Sequence, residues 1–349
     1  VLSIESAIFL LKEIKMLYDI AVVGATGAVG NKMLQVLQER KFPINNLYLF
    51  ASKKSTGAKI KFGDKDYTVI ELCEQNIIDK KIDIAIFSAG GAVSKEFAPI
   101  FAQNHTIVID NSSCWRMDEN TPLVVPEVNA EAIKNHKNII ANPNCSTIQS
   151  VVPLKPLHDL YKIKRVVFST YQAVSGAGRA GCLDLENGMK GLPPQKFSRP
   201  IFSNCIPHID VFMEDGYTKE EQKMILETQK ILNDKNIKIT ATTVRVPVMN
   251  GHSVSANIEF EKDFDLDELK EALRNFDNIT VMDDPANGVY PTPIDADEKD
   301  QVFVGRIRRD YSVKSGVNLW IVADNIRKGA ATNAVQIAEY IVKNNIKAV

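Results

Sequence analysis

An apolar run, a glycine turn and a helix pattern in direct succession constrain this chain more than any other feature. Tyr18–Val23 (YDIAVV) reads as a short strand buried on both faces. Gly24-Ala25-Thr26-Gly27-Ala28-Val29-Gly30 follows at once, and Leu34, Val36 and Leu37 continue at helical spacing. Strand, glycine turn and helix together resemble the opening βαβ unit of a dinucleotide-binding domain. Glycines let the backbone approach a pyrophosphate, and the helix N-terminus offers free N–H donors. Gly24, Thr26, Gly27, Ala28 and Val29 are therefore candidate cofactor contacts. The spacing is G-x-x-G-x-x-G rather than G-x-G-x-x-G, so the competing reading is a turn that only packs strand on helix.

The next strand, residues 46–51 (NLYLFA), ends where such a domain places an Asp or Glu on the ribose 2′-hydroxyl. Here the chain reads Ser52-Lys53-Lys54-Ser55-Thr56-Gly57, with two ammonium groups, three hydroxyls and no carboxylate. Ser52, Lys54, Ser55 and Thr56 suit a 2′-phosphate, so NADP is expected over NAD. The plain alternative is a solvated basic turn. Residues 81–88 form another buried strand, and its end, Ser88-Ala89-Gly90, is small enough for a cofactor to lie against backbone. A strand over 106–110 and a short strand and turn over 123–129 continue the pattern. Alternation of strands and helices to this point predicts a doubly wound parallel sheet, a Rossmann-like first domain.

A chain of 349 residues is too long for one comfortable core. Beyond residue 145 the pattern changes, with strands at 165–173, 237–248, 252–260, 278–282, 302–307 and 316–323. Several of these alternate, as antiparallel strands with one wet face do. Helices are expected at 219–232 and 266–276. The whole is thus an α/β protein. An NADP-binding domain over 17–144 plus 325–349 is joined to an α+β catalytic and dimerisation domain over 145–324 with a mostly antiparallel sheet. A strong helix pattern over 330–345 is expected to return and pack on the first domain beside the cofactor.

Composition narrows the class. The formal charge of −1 and the absence of like-charge runs exclude non-specific binding to nucleic acid or an anionic membrane. No apolar stretch approaches the roughly 18–20 residues of a membrane span. The five cysteines are scattered without a C-x-x-C pair, so neither a disulfide framework nor a metal site is expected, and a reducing, cytoplasmic setting fits. Residues 1–15 show a short amphipathic helix pattern unlike a secretory signal, and Met16 is a candidate initiator, leaving residues 1–16 a leader of uncertain status.

Chemistry concentrates at Ala141-Asn142-Pro143-Asn144-Cys145-Ser146-Thr147. Cys145 lies between the end of one strand and a buried helix over 146–160, where free N–H groups and the helix dipole favour a thiolate. It is a candidate nucleophile; the alternative is a small buried apolar residue. Arg245, within an apolar strand (TTVRVPV), needs an anion, from an internal ion pair or from a ligand.

Six motifs in order, GATGAVG, NSSCWR (111–116), NPNCST (142–147), YQAVSGAGRAG (171–181), RVPVMNGHS (245–253) and ADNIRKGAATNAVQIAE (323–339), resemble aspartate-β-semialdehyde dehydrogenases. The resemblance runs from about Leu17 to the C-terminus. It implies NADPH-dependent reductive dephosphorylation of β-aspartyl phosphate, in the supply of lysine, threonine and methionine, by a homodimer. It assigns Cys145 as nucleophile, Gln172 as the group orienting the acyl intermediate, and His252 as the acid/base. Arg245 would hold the substrate α-carboxylate, Glu220 and Lys223 its amine and phosphate, Arg116 the leaving phosphate, and Asn144 the group beside the thiol. Ser175, Gly176 and Asn325 would contact the cofactor. Lys54 stands where the family often carries Arg; lysine has charge but no fork, which leaves NAD use open. The rivals are an N-acetyl-γ-glutamyl-phosphate reductase, which would not need Glu220 for a free amine, and a non-catalytic nucleotide-binding regulator.

Overall fold

The computed structural model describes residues 16–349; the helix pattern at residues 1–15 lies outside them. The first sheet is built from β1 (Tyr18–Val23), β2 (Ile44–Ala51), β3 (Ile70–Glu71), β4 (Ile84–Phe87), β5 (Ile107–Asp110) and β6 (Ile139–Ala141). All neighbours are parallel, in the order β3-β2-β1-β4-β5-β6, which is that of a dinucleotide-binding sheet. The order reverses between β1 and β4, and the register there sets out the site. Phe50, Val23, Phe87, Asp110 and Ala141 lie in one row across the sheet. The loops that begin after this row therefore all open at the same carboxyl edge.

Helix α1 (Ala28–Glu39) follows β1, and α2 (Gly91–Gln103) follows β4. Gly24 adopts φ +85°, and a Cβ there would lie 2.5 Å from the Ser88 carbonyl oxygen. A Cβ on Gly30 would lie 2.2 Å from the Gly24 carbonyl oxygen. Both glycines are thus required by close backbone approach. The expected strand at 123–129 is instead an isolated bridge, Leu123 to Ala141, followed by the helical turn Pro126–Asn129. Pro126 opens that turn at its first position, where its missing N–H costs nothing. A surface hairpin, Lys59–Phe62 with Lys65–Thr68, is not among the expected strands, although Ile60 and Phe62 alternate with lysines.

The second half begins with α3 (Cys145–Tyr161), buried on all sides. Then come β7 (Ile163–Gln172), α4 (Lys219–Ile231), β8 (Lys238–Arg245), β9 (His252–Phe260), α5 (Leu266–Arg274), β10 (Ile279–Val281), β11 (Val302–Asp310) and β12 (Gly316–Ala323). The sheet order is β8-β7-β9-β12-β11-β10. The three inner pairings are antiparallel, as expected, but the two edge pairings are parallel. A parallel neighbour needs a crossover, which α4 supplies between β7 and β8. The result is functional: Arg245 stands beside Gln172 in register, and His252 beside Ala323. Ile148, Val151, Leu154 and Leu157 of α3 pack with Phe168, Val254 and Leu319 of the sheet and with Leu269 and Leu273 of α5.

The last helix, α6 (Thr332–Lys343), packs Val335, Ile337, Ala338 and Ile341 against Met33 and Leu37 of α1 in the core of the first sheet. It begins later than expected, after a π-helical turn over Arg327–Ala331. That wide turn brings Gly329 against the thiol residue: a Cβ on Gly329 would lie 2.9 Å from the Cys145 Cβ. No described helix is long and apolar enough to cross a membrane.

Gly30→Ala is expected to cost about 1–3 kcal/mol in urea unfolding through overpacking. Gly91→Ala, whose Cβ would meet nothing closer than 4.0 Å, stays within about 0.5 kcal/mol of the parent. Equal unfolding midpoints for the two variants would contradict the close-approach argument.

Candidate active site

The carboxyl edge of the first sheet and the Gln172 and Arg245 end of the second face one cavity of about 690 Å³. Ala28 and Val29 of the glycine turn lie on its wall, together with Asn144, Cys145, Gln172, Arg245 and Asn325. Residues from the nucleotide turn and from the second sheet thus share one space.

Asn144 is the N-cap of α3: its Oδ1 accepts the Ser146 and Thr147 N–H groups at 3.0 and 3.3 Å. Its own backbone N–H donates to Glu227 Oε2 at 2.7 Å. Cys145, the first helical residue, is half-buried on the cavity wall. The expectation that a helix N-terminus makes it a thiolate is corrected here. Burial and then the Glu220 carboxylate push the thiol up to about 11, against the lowering pull of Arg245, Arg116 and the Ser146 N–H. Desolvation and a like charge outweigh the end of the helix.

Arg116 is buried, and every arm of its guanidinium is held. Nε donates to the Asn142 carbonyl at 3.0 Å, Nη2 to the Asn111 carbonyl at 3.0 Å, and Nη1 to Glu227 Oε1 at 3.1 Å. Glu220, also buried, accepts Asn144 Nδ2 at 3.0 Å, Gln172 Nε2 at 3.1 Å and Lys223 Nζ at 3.1 Å. Burial would raise its carboxyl, yet Lys223 and the two amides outweigh that and leave it below the usual range. Lys223 also donates to Asp210 at 2.7 Å. Gln172 Oε1 accepts from Thr170, which fixes the amide plane.

Arg245 is 5% exposed and has no carboxylate partner among the described residues. Nη1 donates to the Ala173 carbonyl at 2.7 Å, and Nε is buried with no partner. His252 is fully buried; its Nδ1 accepts the Ala173 N–H at 3.0 Å, and its Nε2 has no partner. With Nδ1 committed as an acceptor, the neutral ring carries its proton on Nε2. Burial and then Arg245 hold the imidazole well below the ordinary histidine value, so it stays neutral. Its Nε2 edge lies against the Gly176 backbone, where a Cβ would approach to 3.1 Å, and no hydrogen bond joins it to Cys145 among the described residues.

The cofactor candidates fall into two groups. Ser175 and Asn325 hydrogen-bond to each other at 3.1 Å and line the cavity with Gly176. Gly24, Thr26, Gly27, Ser88, Ala89 and Gly90 meet at the strand-order reversal, while Ser52, Lys54, Ser55 and Thr56 follow β2 at the same edge. Lys54 is exposed. The N-terminus of α1 has no side-chain cap, so its first N–H groups are available to a pyrophosphate. The residues fit a dinucleotide. Sequence reasoning missed Glu227 and Asp210. Glu227 had a signal, since Glu220, Lys223, Met224 and Glu227 form an i, i+3, i+4, i+7 stripe on α4. Asp210 had none: it lies in an irregular segment with φ 66°.

Fold and cavity define a two-part dehydrogenase in which a dinucleotide sheet is joined to a mixed sheet with a cysteine at the seam. Family models for the NAD binding and dimerisation domains of semialdehyde dehydrogenases match residues 19–136 and 154–328. An aspartate-semialdehyde dehydrogenase of Aquifex aeolicus is 56% identical over 94% of this chain and 99% of its own length. Aspartate-semialdehyde dehydrogenase 2 of Vibrio cholerae is 49% identical over 94% and 98%. The structure of the Vibrio cholerae enzyme II complexed with ASA superposes with TM-score 0.91 at 48% identity, covering 94% of this chain and 99% of that one. The Candida albicans enzyme with NADP gives 0.76 at 26% identity, covering 95% and 100%. The chain belongs to the aspartate-semialdehyde dehydrogenase family.

A thiol at about 11 predicts that alkylation of Cys145 by iodoacetamide in the free protein accelerates steadily with pH. The rise should approach tenfold per unit across about pH 7–10, following the thiolate fraction. A plateau reached by about pH 8 would contradict it.

Proposed function

We propose that this chain reduces β-aspartyl phosphate to aspartate β-semialdehyde and phosphate, by way of a thioester on Cys145. The observation that carries the reading is Arg245. A buried guanidinium with no carboxylate partner among the described residues and an unpartnered Nε calls for an anion, and a substrate α-carboxylate supplies one through a bidentate pair. Glu220, already hydrogen-bonded by three donors, offers its charge to the substrate amine. Arg116 and Lys223 hold the phosphate.

In this reading the Cys145 sulfur attacks the acyl carbon, its bond to carbon forms, the carbon–oxygen bond to phosphate breaks, and the thiol proton leaves with the phosphate. Asn144 and Gln172 hold the acyl group beside the sulfur. The nicotinamide, when bound, supplies the hydride that reduces the thioester. His252 keeps its Nε2 proton at the ordinary working pH and donates a hydrogen bond from it to the oxygen that carries negative charge. The semialdehyde then leaves and Cys145 is free again.

The division of labour follows the two sheets, with residues 17–144 and 325–349 serving the nucleotide and 145–324 the substrate. NADP is the proposed cofactor, supported by the exposed Lys54 and the hydroxyls of Ser52, Ser55 and Thr56 in a loop without carboxylates. Two copies pair as a homodimer through the open face of the second sheet, where the rings of Tyr171 and Trp320 lie 5.3 Å apart.

Phosphate-dependent oxidation of the semialdehyde tests the reaction. Cys145→Ala is expected to abolish turnover while leaving NADPH binding measurable by nicotinamide fluorescence. Retained turnover, or preference for the N-acetylated acyl phosphate of one more methylene, would contradict the assignment. Lys54→Ala is expected to raise the KM for NADPH roughly tenfold and leave that for NADH unchanged, as loss of one 2′-phosphate contact requires. Equal effects on both would overturn the NADP preference.

A further inference from the structure

Glu227 has no part in the steps above, yet it is 1% exposed and sits behind the cavity wall. Its oxygens serve two partners. Oε1 lies 3.1 Å from Arg116 Nη1, and Oε2 accepts the backbone N–H of Asn144 at 2.7 Å. One buried carboxylate thus ties the guanidinium assigned to the phosphate to the residue that caps the Cys145 helix. The remaining arms of Arg116 are held by carbonyls of Asn111 and Asn142, so Glu227 supplies the only negative charge paired with it among the described residues.

A buried ion pair is weak evidence for stability, because apolar side chains of the same volume often serve as well or better. Its position fits binding chemistry instead. A guanidinium already paired with a carboxylate attracts a phosphate anion less strongly than an unpaired one. Phosphate must leave this site after each acylation in the reductive direction.

We infer that Glu227 is a positioning residue of the phosphate subsite, which aims Arg116 and offsets its charge so that phosphate is released beside Cys145. The inference rests on the reading of Arg116 as a phosphate ligand. Glu227→Gln keeps the shape and one acceptor oxygen, for the Asn144 N–H, but removes the charge and the acceptor that faces Arg116. It is expected to lower the KM for inorganic phosphate in semialdehyde oxidation roughly five- to tenfold and to leave the KM for the semialdehyde within about twofold. The same fall is expected in the phosphate concentration that protects Cys145 from alkylation, a readout that needs no turnover. Glu227→Asp, which keeps the charge, stays within about twofold of the parent for phosphate.

An unchanged or raised phosphate constant in Glu227→Gln overturns the inference, as does a Glu227→Gln chain that fails to fold, since the pair would then serve stability. A tenfold departure in Glu227→Asp overturns it independently. Arg116→Ala separates the two levels. If it raises the phosphate KM while Glu227→Gln changes nothing, only the role of Glu227 fails; if it leaves that KM unchanged, the assignment of Arg116 fails with it.

Discussion

Most of helix α3 is buried, and the N–H groups of its first turn need partners within the protein. Asn144 Oδ1 takes two of these, and the Asn144 backbone N–H is in turn taken by Glu227. That short chain of hydrogen bonds fixes Cys145 at the cavity wall. Gly329, at the π-helical turn before α6, closes against it from the other side with no room for a side chain. Lys328 of the same turn is fully buried, and its ammonium is held by Glu127 at 2.7 Å, Asn333 at 3.1 Å and Gln336 at 2.8 Å. Asn333 Nδ2 donates to Asn142 Oδ1 at 2.7 Å, the Asn142 carbonyl accepts Arg116 Nε, and Arg116 pairs with Glu227. The last helix and Cys145 are thus positioned by one connected set of polar contacts.

Charge at the cavity is balanced before any ligand arrives. Arg116 faces Glu227, and Lys223 faces Glu220 and Asp210. Arg245 is left without a carboxylate, and His252 is neutral because burial and Arg245 both oppose a second positive charge. In the proposed reading a doubly charged anionic substrate enters a site of prearranged donors rather than a strongly basic cleft. This explains how a chain of net charge −1 can recognise acyl phosphate. Local groups in a low-dielectric pocket do what a global positive field would do less selectively.

Local pattern and register made much of the fold legible. The run from Tyr18 to Gly30 announced the nucleotide sheet because strand, glycine turn and helix must be contiguous. Strand β9 over His252–Phe260 and β12 over Gly316–Ala323 were readable from their alternation. The parallel edges of the second sheet were not, because a crossover leaves no periodicity in the strands that it joins. Over 123–129 a strand and turn were expected; the turn is there as Pro126–Asn129, but the strand is reduced to the single bridge Leu123 to Ala141. At the site, residue types were legible but their electrostatics were not. The state of Cys145 depends on burial and on Glu220, which lies far away in sequence on another helix. The tautomer of His252 depends on one backbone N–H, that of Ala173. Glu227 looked like one more polar residue on α4 until tertiary packing placed its face inward.

The central claim is that Cys145 carries the acyl group. Rapid quench of the protein mixed with β-aspartyl phosphate in the absence of dinucleotide, followed by peptide mass analysis, tests it most directly. The account predicts one aspartyl group in thioester linkage on the peptide containing Cys145, removable by hydroxylamine and absent from Cys145→Ser. An unmodified Cys145 alongside full release of phosphate, or an aspartyl group on another residue, would contradict it.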